Sequence, residues 1–163
     1  MSIRNTAKAL LLHNNKLLLN KCRNSTGYEI GGIQKGEIYY DLPGGGQHPY
    51  ETMEEALQRE CLEETGYSVE AERLVGCYEE ICLSSPLRQQ YPDYAHKMYF
   101  IFLCSLKEEA LQPITERDID QLESIWVDIR ELKGLNFYPI VLQSAIESLL
   151  RTESPVFLGS RRI

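Results

Sequence analysis

The sequence predicts an α/β fold in which helices cover both faces of a mixed β-sheet. β-favouring segments flank one long helical segment at residues 52–65. A second segment with helical spacing of its apolar residues lies near the end of the chain, at residues 139–150. Residues 97–106, KMYFIFLCSL, are the most continuous apolar run, and their length and aromatic content favour a buried strand. A layered α/β/α sandwich would bury all of these apolar surfaces.

Size and composition indicate one ordered domain. With 163 residues the chain is predicted to form a single domain over 1–163, of which 151–163 are expected to be a loosely held tail. Hydrophobic residues make up 43% and charged residues 25%, as in ordinary soluble globular proteins. The net charge of -7 and the scattered Lys and Arg argue against binding of long nucleic acid. A protein with this net charge can still bind small phosphate esters if a metal ion supplies local positive charge.

The cysteines and the first residues indicate a cytoplasmic protein. The five cysteines are odd in number, widely spaced and without a Cys-x-x-Cys pair, so we expect reduced and mostly buried thiols. Polar residues from Lys8 to Lys16 interrupt the apolar start of the chain. We therefore expect neither a signal sequence nor a membrane span.

Turn-forming residues divide the chain into its elements. Asn14 and Asn15 favour the positive φ angles of a tight turn, which predicts a hairpin of strands at residues 6–12 and 17–22. A glycine-rich loop, a short strand and a glycine turn precede the long helix, at residues 23–37, 38–42 and 43–46. After it we expect a strand bent at Gly76 (68–83), a polar loop (84–96), a strand (97–106), an acidic loop (108–121), a strand (122–127), a short helix from 128 to 133, and a final helix with Pro139 at its first position.

The helix at residues 52–65 has an unusual charge pattern. Thr52 and Glu55 form a capping-box motif, and Gly66 suits a left-handed helix end. Its apolar residues gather on one arc: Met53, Ala56, Leu57 and Cys61. Glu60 and Glu64 fall within that arc and Glu63 lies at its edge. Neighbouring carboxylates repel each other, more so in a desolvated cleft, so the pattern predicts a cation between them. Hard divalent cations such as Mg²⁺ or Mn²⁺ prefer carboxylate oxygens, and substrate phosphates often occupy their remaining coordination positions.

Residues 45–67 resemble the Nudix box at every fixed position. Gly45 is followed after five residues by Glu51 and, after seven more, by Arg59-Glu60-Cys61-Leu62-Glu63-Glu64-Thr65-Gly66-Tyr67. The resemblance implies a Nudix-like α/β/α sandwich and metal-dependent hydrolysis of a nucleoside diphosphate linked to another moiety. The bond would be the phosphoanhydride of a nucleoside triphosphate, ADP-ribose or nucleotide sugar.

The resemblance also assigns roles within the motif. Glu60 and Glu64 would be the principal metal ligands, with Glu63 and the Gly44 carbonyl as further ligands for Mg²⁺ or Mn²⁺. Arg59 and Glu51 would orient them. The general base stays open: Glu60 or Glu63 is the first choice. The candidates outside the motif are Glu79, Glu80, Glu116 and Glu123.

Substrate choice is expected to lie in loops outside the motif. Tyr91, Tyr94 and His96 are candidates for stacking on a base, and Arg88 for contacting a phosphate or ribose. The same residues would also suit loop packing or a homodimer contact. The spacing of the later prolines and tyrosines selects no single nucleotide substrate. The alternative function is a non-catalytic module that senses a nucleotide derivative.

Overall fold

A computed structural model describes residues 3–163 and shows a seven-stranded sheet with three helices. Two single 3₁₀ turns, Pro92–Tyr94 and Leu132–Gly134, accompany them. The elements are β1 (Arg4–His13), β2 (Lys16–Arg23), β3 (Ile38–Asp41), α1 (Met53–Thr65), β4 (Val69–Ile81), α2 (Ser85–Gln90), β5 (His96–Leu106), β6 (Gln121–Asp128), α3 (Leu142–Leu149) and β7 (Val156–Arg162).

The sheet is mixed, as predicted. Its strand order is β3-β2-β1-β5-β4-β7, and β6 also pairs with β2. The β1–β5 and β4–β7 pairs are parallel and the others antiparallel. The predicted hairpin is present, with Asn14 and Asn15 at φ angles of 49° and 59°. The register of β4 against β5 shifts between Leu74 and Gly76, where a bend was expected.

Helices cover both faces of the sheet, which confirms the α/β/α arrangement. Successive strand residues point to opposite faces, so Leu10 of β1 packs in one core cluster while Ala9 and Leu11 pack in the other. The first cluster includes Leu142, Ala145, Ile146 and Leu149 of α3. The second includes Ala56, Leu57 and Cys61 of α1. The long helix is therefore held against the sheet by the apolar arc that the sequence predicted.

The expectation of a loose tail at residues 151–163 is wrong. Residues Val156–Arg162 form β7, which pairs in parallel with β4 and closes one edge of the sheet. An edge strand exposes much of its surface, and Val156 and Phe157 remain 45% and 62% exposed. The segment therefore lacks the buried alternation by which a strand is recognised in a sequence.

Three other boundaries differ from the prediction. The segment at 84–96 is a loop only in part, because the Ser84 side chain accepts a hydrogen bond from the Leu87 amide and caps α2. The helix expected from 128 to 133 is only the 3₁₀ turn at Leu132–Gly134. The last helix starts at Leu142 rather than at Pro139. Residues 139–141 form a turn instead, in which the amides of Leu142 and Gln143 donate to the carbonyls three residues earlier.

Two predictions about the whole chain can be compared with the described residues. All five cysteines are free, and four of them are buried, as expected for reduced thiols. None of the helices between residues 3 and 163 is long and apolar enough to span a membrane.

Candidate functional site

Both ends of α1 are fixed by local hydrogen bonds. The Glu55 amide donates to Thr52 Oγ1 at 3.1 Å, and the Thr52 amide donates to Glu55 Oε2 at 2.7 Å. At the other end Gly66 has a φ angle of 74°, and its amide donates to the Leu62 carbonyl at 2.9 Å. These caps set where the helix begins and ends, so they also set the direction of Glu60, Glu63 and Glu64.

The glycine turn runs alongside β1 and faces α1. The amides of Ala9 and Ala7 donate to the carbonyls of Pro43 and Gly45 at 2.8 and 2.9 Å. Gly44 has a φ angle of 120°, and a Cβ there would overlap the Ala7 carbonyl, so only glycine fits. A Cβ on Gly45 would overlap the Glu60 carboxyl group. The turn therefore brings backbone directly against the carboxylates of α1.

Arg59 organises the acidic groups around it. Its Nε and Nη2 donate to the two oxygens of Glu51 at 2.7 and 3.0 Å, a bidentate pair. Its Nη1 donates to Glu60 Oε1 at 2.8 Å and to Glu63 Oε2 at 3.2 Å. Its Nη2 also donates to the Gly46 carbonyl at 2.9 Å. One guanidinium thus links the helix, the residue before its cap and the glycine turn.

The Glu51–Arg59 pair predicts a loss of stability in acid. The hydrogen bonds from Arg59 lower the pKa of Glu51 from 4.5 to about 2. Because the folded-state pKa lies below that of the unfolded chain, the stabilisation is complete above about 4.5 and disappears as the pH falls towards 2. We expect Glu51→Gln to reduce the free energy of unfolding at neutral pH and to remove part of its fall in this window. Urea unfolding across the window tests this, with the exposed Glu54→Gln as control. An unchanged pH profile in Glu51→Gln would contradict it.

Glu64 is the most buried carboxylate of the helix, with 3% of its surface exposed. Its Oε2 accepts hydrogen bonds from Asn20 Nδ2 at 2.8 Å and from the Gly44 amide at 3.0 Å. Burial raises the pKa of Glu64 to about 8, against the opposing effect of the Lys8 charge. A carboxylate this desolvated gains from a bound cation.

Lys8 provides a buried positive charge in the same region. Its Nζ donates to Asp41 Oδ2 at 2.7 Å and to the Leu42 carbonyl at 3.0 Å. Burial lowers the pKa of Lys8, but the negative charges of Asp41, Glu64 and Asp118 together outweigh burial and hold the pKa above its ordinary value. Lys8 is therefore a charged lysine between strand β3 and the carboxylates of α1.

The donors in this region suit a hard divalent cation. Glu60, Glu63 and Glu64 supply carboxylate oxygens. The Gly44 carbonyl oxygen accepts no hydrogen bond from residues 3–163, so it is a further oxygen that a cation can use. Within that range no three acidic, His or Cys side chains converge at metal-ligand spacing. Arg59 holds Glu60 and Glu63, while Asn20 and the Gly44 amide hold Glu64. The oxygen chemistry fits Mg²⁺ or Mn²⁺, and the ligand set stays a prediction.

A cavity of about 920 Å³ opens beside these groups. Glu60, Glu63 and Glu64 line it, together with Arg59 and Gly44. Of the four general-base candidates outside the motif, only Glu116 lines the cavity. The amides of Thr115 and Glu116 donate to the Glu63 carbonyl, both at 3.1 Å, which ties this acidic loop to the end of α1.

The predicted substrate residues divide into two groups. Tyr91 and Tyr94 line the cavity. Arg88 does not, because it lies on the exposed surface of α2. His96 is also outside the lining, since its Nε2 lies 2.8 Å from Glu79 Oε1. Arg88 and His96 therefore lie outside the cavity lining, and their role in substrate binding stays a prediction.

The three remaining base candidates are engaged elsewhere. Glu79 contacts His96 and Ser160. Glu80 is buried beside Lys97, with 2.9 Å between Glu80 Oε1 and the Lys97 Nζ. Glu123 is paired with Lys21 on the surface at 3.0 Å. None of these three carboxylates lines the cavity within the described part of the chain.

Sequence reasoning missed the contribution of β1. Arg4, Thr6 and Lys8 are spaced two apart and all line the cavity. Side chains at this spacing share one face of a strand, so the polar residues of an otherwise apolar strand were the available signal. Asp41 of β3 and Asn20 of β2 were missed as well, because their partners are far away in the sequence.

The fold and the carboxylate helix define a protein of the Nudix type, and comparison with known proteins supports this class. The model of the NUDIX domain matches residues 3–144. The chain therefore belongs to the NUDIX domain family. A relative from Bacillus subtilis (strain 168), named "Putative 8-oxo-dGTP diphosphatase", is 50% identical over 40 residues, which cover 24% of this chain. That match spans only 27% of the relative's length.

Solved structures show the same fold at low sequence identity. A NUDIX hydrolase from Nitrosomonas europaea has a TM-score of 0.65 and 22% identity, with 91% of this chain and 88% of that chain covered. An ADP-ribose pyrophosphatase from Streptococcus suis has a TM-score of 0.61 and 19% identity, covering 96% of this chain and 99% of that one. At these identities the likeness concerns the fold.

Proposed function

We propose that the protein hydrolyses a phosphoanhydride bond in a small nucleotide derivative with the aid of Mg²⁺ or Mn²⁺. The observation that carries this proposal is that Glu60, Glu63 and Glu64 line one cavity of about 920 Å³ together with basic and aromatic side chains. A cavity of this volume accommodates a nucleotide-sized ligand. The substrate would be a nucleoside diphosphate linked to another moiety, as in a nucleoside triphosphate, ADP-ribose or a nucleotide sugar.

The names of relatives support the reaction class and leave the nucleotide open. The Bacillus subtilis relative is named for 8-oxo-dGTP, and the Streptococcus suis structure for ADP-ribose. Both names describe a diphosphatase or pyrophosphatase acting on a nucleotide derivative. We extend only that reaction class to this chain.

The divalent ion would be held by Glu60 and Glu64, with Glu63 and the Gly44 carbonyl as further ligands. When bound, it would polarise the phosphoryl oxygens and increase the acidity of a coordinated water. Arg59 keeps Glu60 and Glu63 close to the glycine turn, with Nη1 distances of 2.8 and 3.2 Å, and Glu51 holds Arg59 in place. The two residues thereby orient the ligands before the substrate arrives.

A glutamate of this chain would accept the proton of the attacking water. Glu60 and Glu63 are the first candidates, because both line the cavity and neither is as buried as Glu64. Glu116 is the candidate outside the motif, since its amide donates a hydrogen bond to the Glu63 carbonyl and the residue lines the same cavity. The pH dependence of kcat is compared for Glu60→Gln, Glu63→Gln and Glu116→Gln. The general base is the glutamate whose replacement removes the ionisation of the base from this profile.

The test is a product analysis with the purified chain and Mg²⁺ or Mn²⁺. The substrate panel contains nucleoside triphosphates, 8-oxo-dGTP, ADP-ribose, nucleotide sugars, dinucleotides and dinucleoside polyphosphates. We expect cleavage of at least one compound between two phosphorus atoms, and no cleavage with EDTA. Binding of panel members without any cleavage would replace hydrolysis with nucleotide sensing as the function.

A further inference from the structure

One strand of the sheet presents three polar side chains to the cavity. Arg4, Thr6 and Lys8 of β1 share a face, and each lines the cavity. Lys8 is already engaged by Asp41 and the Leu42 carbonyl. The hydrogen-bonding groups of Arg4 and Thr6 require a separate explanation.

Thr6 is buried without a partner for its hydroxyl group. Only 5% of its surface is exposed, and Oγ1 has no hydrogen-bond partner among residues 3–163. An unsatisfied buried hydroxyl lowers stability, and most buried polar groups in proteins avoid it. Because Thr6 also lines the cavity, a ligand atom there could supply the missing partner.

Arg4 is held in place by packing. Its Cζ lies 4.9 Å from the centroid of the Tyr94 ring, and its guanidinium packs so closely on Gly46 that a Cβ at that position would overlap it. No carboxylate or carbonyl of the described residues 3–163 accepts a hydrogen bond from it. A stacked guanidinium that keeps its N–H groups available is suited to an anionic oxygen.

The position of the pair relates it to the carboxylates. The carbonyl of Gly46, the residue against which Arg4 packs, accepts a hydrogen bond from Arg59 Nη2 at 2.9 Å. Arg59 in turn binds Glu60 and Glu63. Side chains two residues apart on a strand are separated by roughly 7 Å, so one phosphoryl group fits between an arginine and a hydroxyl so placed.

We propose that Arg4 and Thr6 form a subsite for a phosphoryl group of the substrate, next to the carboxylates of α1. The subsite rests on the proposed function. Glu60, Glu63 and Glu64 would hold one part of the phosphorylated nucleotide through a cation, and the subsite would hold a phosphoryl group outside that part. Arg4 donates charge-assisted hydrogen bonds to the phosphoryl oxygens, and the Thr6 hydroxyl donates one more. Tyr94 positions Arg4 by stacking on it, which differs from the predicted stacking of Tyr94 on a base.

The experiment measures binding of α,β-methylene-ADP with Mg²⁺ by calorimetry, a probe whose phosphorus linkage cannot be hydrolysed. Adenosine serves as the probe without phosphate. The variants are Arg4→Met, Arg4→Lys, Thr6→Val and Thr6→Ser, and Arg151→Met, exposed near the end of α3, controls for the change in charge. Thermal unfolding of each variant is recorded without ligand.

We expect Arg4→Met to weaken binding of the methylene analogue by roughly 10- to 100-fold and Thr6→Val by roughly 3- to 10-fold. Thr6→Ser and Arg151→Met should bind as the wild type does, and Arg4→Lys should fall between. Thr6→Val should leave Tm unchanged or higher, because it removes an unsatisfied buried hydroxyl. A merely structural role would lower Tm and leave the discrimination between the analogue and adenosine intact.

Two results would overturn the subsite. The first is equal binding of the analogue by wild type, Arg4→Met and Thr6→Val, even if the wild type hydrolyses a panel substrate. The second is a parallel loss of analogue and adenosine binding. If the variants lose analogue binding but no panel compound is cleaved by the wild type, the subsite is supported and hydrolysis fails. If the wild type neither binds the analogue nor cleaves any panel compound, both the subsite and the proposed hydrolysis are rejected.

Discussion

Replacing Glu64 with Gln is expected to lower kcat by a factor of roughly 10³ on whichever panel compound the wild type cleaves. Gln has nearly the same shape and can still accept hydrogen bonds from Asn20 and the Gly44 amide, so the turn and helix should keep their positions. What the variant lacks is the negative charge that would attract the divalent ion. Initial rates over a range of Mg²⁺ and Mn²⁺ concentrations measure the effect, and full turnover by Glu64→Gln would refute the metal assignment.

The same substitution should act in the opposite direction on stability. Glu64 is 3% exposed, and burial of an ionised carboxylate is unfavourable in the absence of a cation. We therefore expect metal-free Glu64→Gln to be as stable as the wild type or more stable, by about 1 to 3 kcal/mol. Added Mg²⁺ or Mn²⁺ should raise the Tm of the wild type more than that of the variant, since a ligand of the native state stabilises it. Glu54→Gln, exposed on the same helix, should change neither quantity.

The central helix was predictable because its determinants are local in the sequence. The capping residues Thr52 and Glu55 and the helix-ending Gly66 lie within one continuous segment, and each makes the expected contact. The apolar arc with Ala56 and Leu57 packs on the sheet as the helical period requires. Glu60, Glu63 and Glu64 of this segment line one cavity beside the glycine turn, and their joint binding of a cation stays a prediction.

The remainder of the site depends on contacts between distant segments. Lys8 meets Asp41 across 33 positions in the sequence, and Asn20 meets Glu64 across 44. The cavity face of β1 is set by its parallel pairing with β5, in which Arg4 lies opposite Lys97 and Thr6 opposite Tyr99. Parallel pairing leaves no turn signal in the sequence, so local patterns show neither which strand lies beside β1 nor the pairing of the edge strand β7.

Replacing Lys8 with Met is expected to destabilise the fold by about 3 kcal/mol or more, because it leaves the carboxylate of Asp41 buried without its partner. The side chains of the pair are 6% and 17% exposed, and their atoms are 2.7 Å apart. Removing one member of a buried ion pair costs more than the pair contributes, since the remaining charge is desolvated and unpaired. Urea unfolding measures the loss. Lys21→Met, which breaks an exposed pair with Glu123, should destabilise the fold far less than Lys8→Met does.

The partner of Lys8 can be identified by which second substitution restores stability. Lys8 Nζ donates to Asp41 and the Leu42 carbonyl, whereas its effect on Glu64 acts through charge without a hydrogen bond. We therefore expect Asp41→Asn to recover more of the loss in the Lys8→Met background than Glu64→Gln does. Comparison of the two double-mutant cycles gives the coupling energies directly. Greater recovery by Glu64→Gln would instead assign Lys8 to charge compensation at the carboxylate helix, and a loss below about 1 kcal/mol for Lys8→Met alone would contradict a buried ion pair at this position.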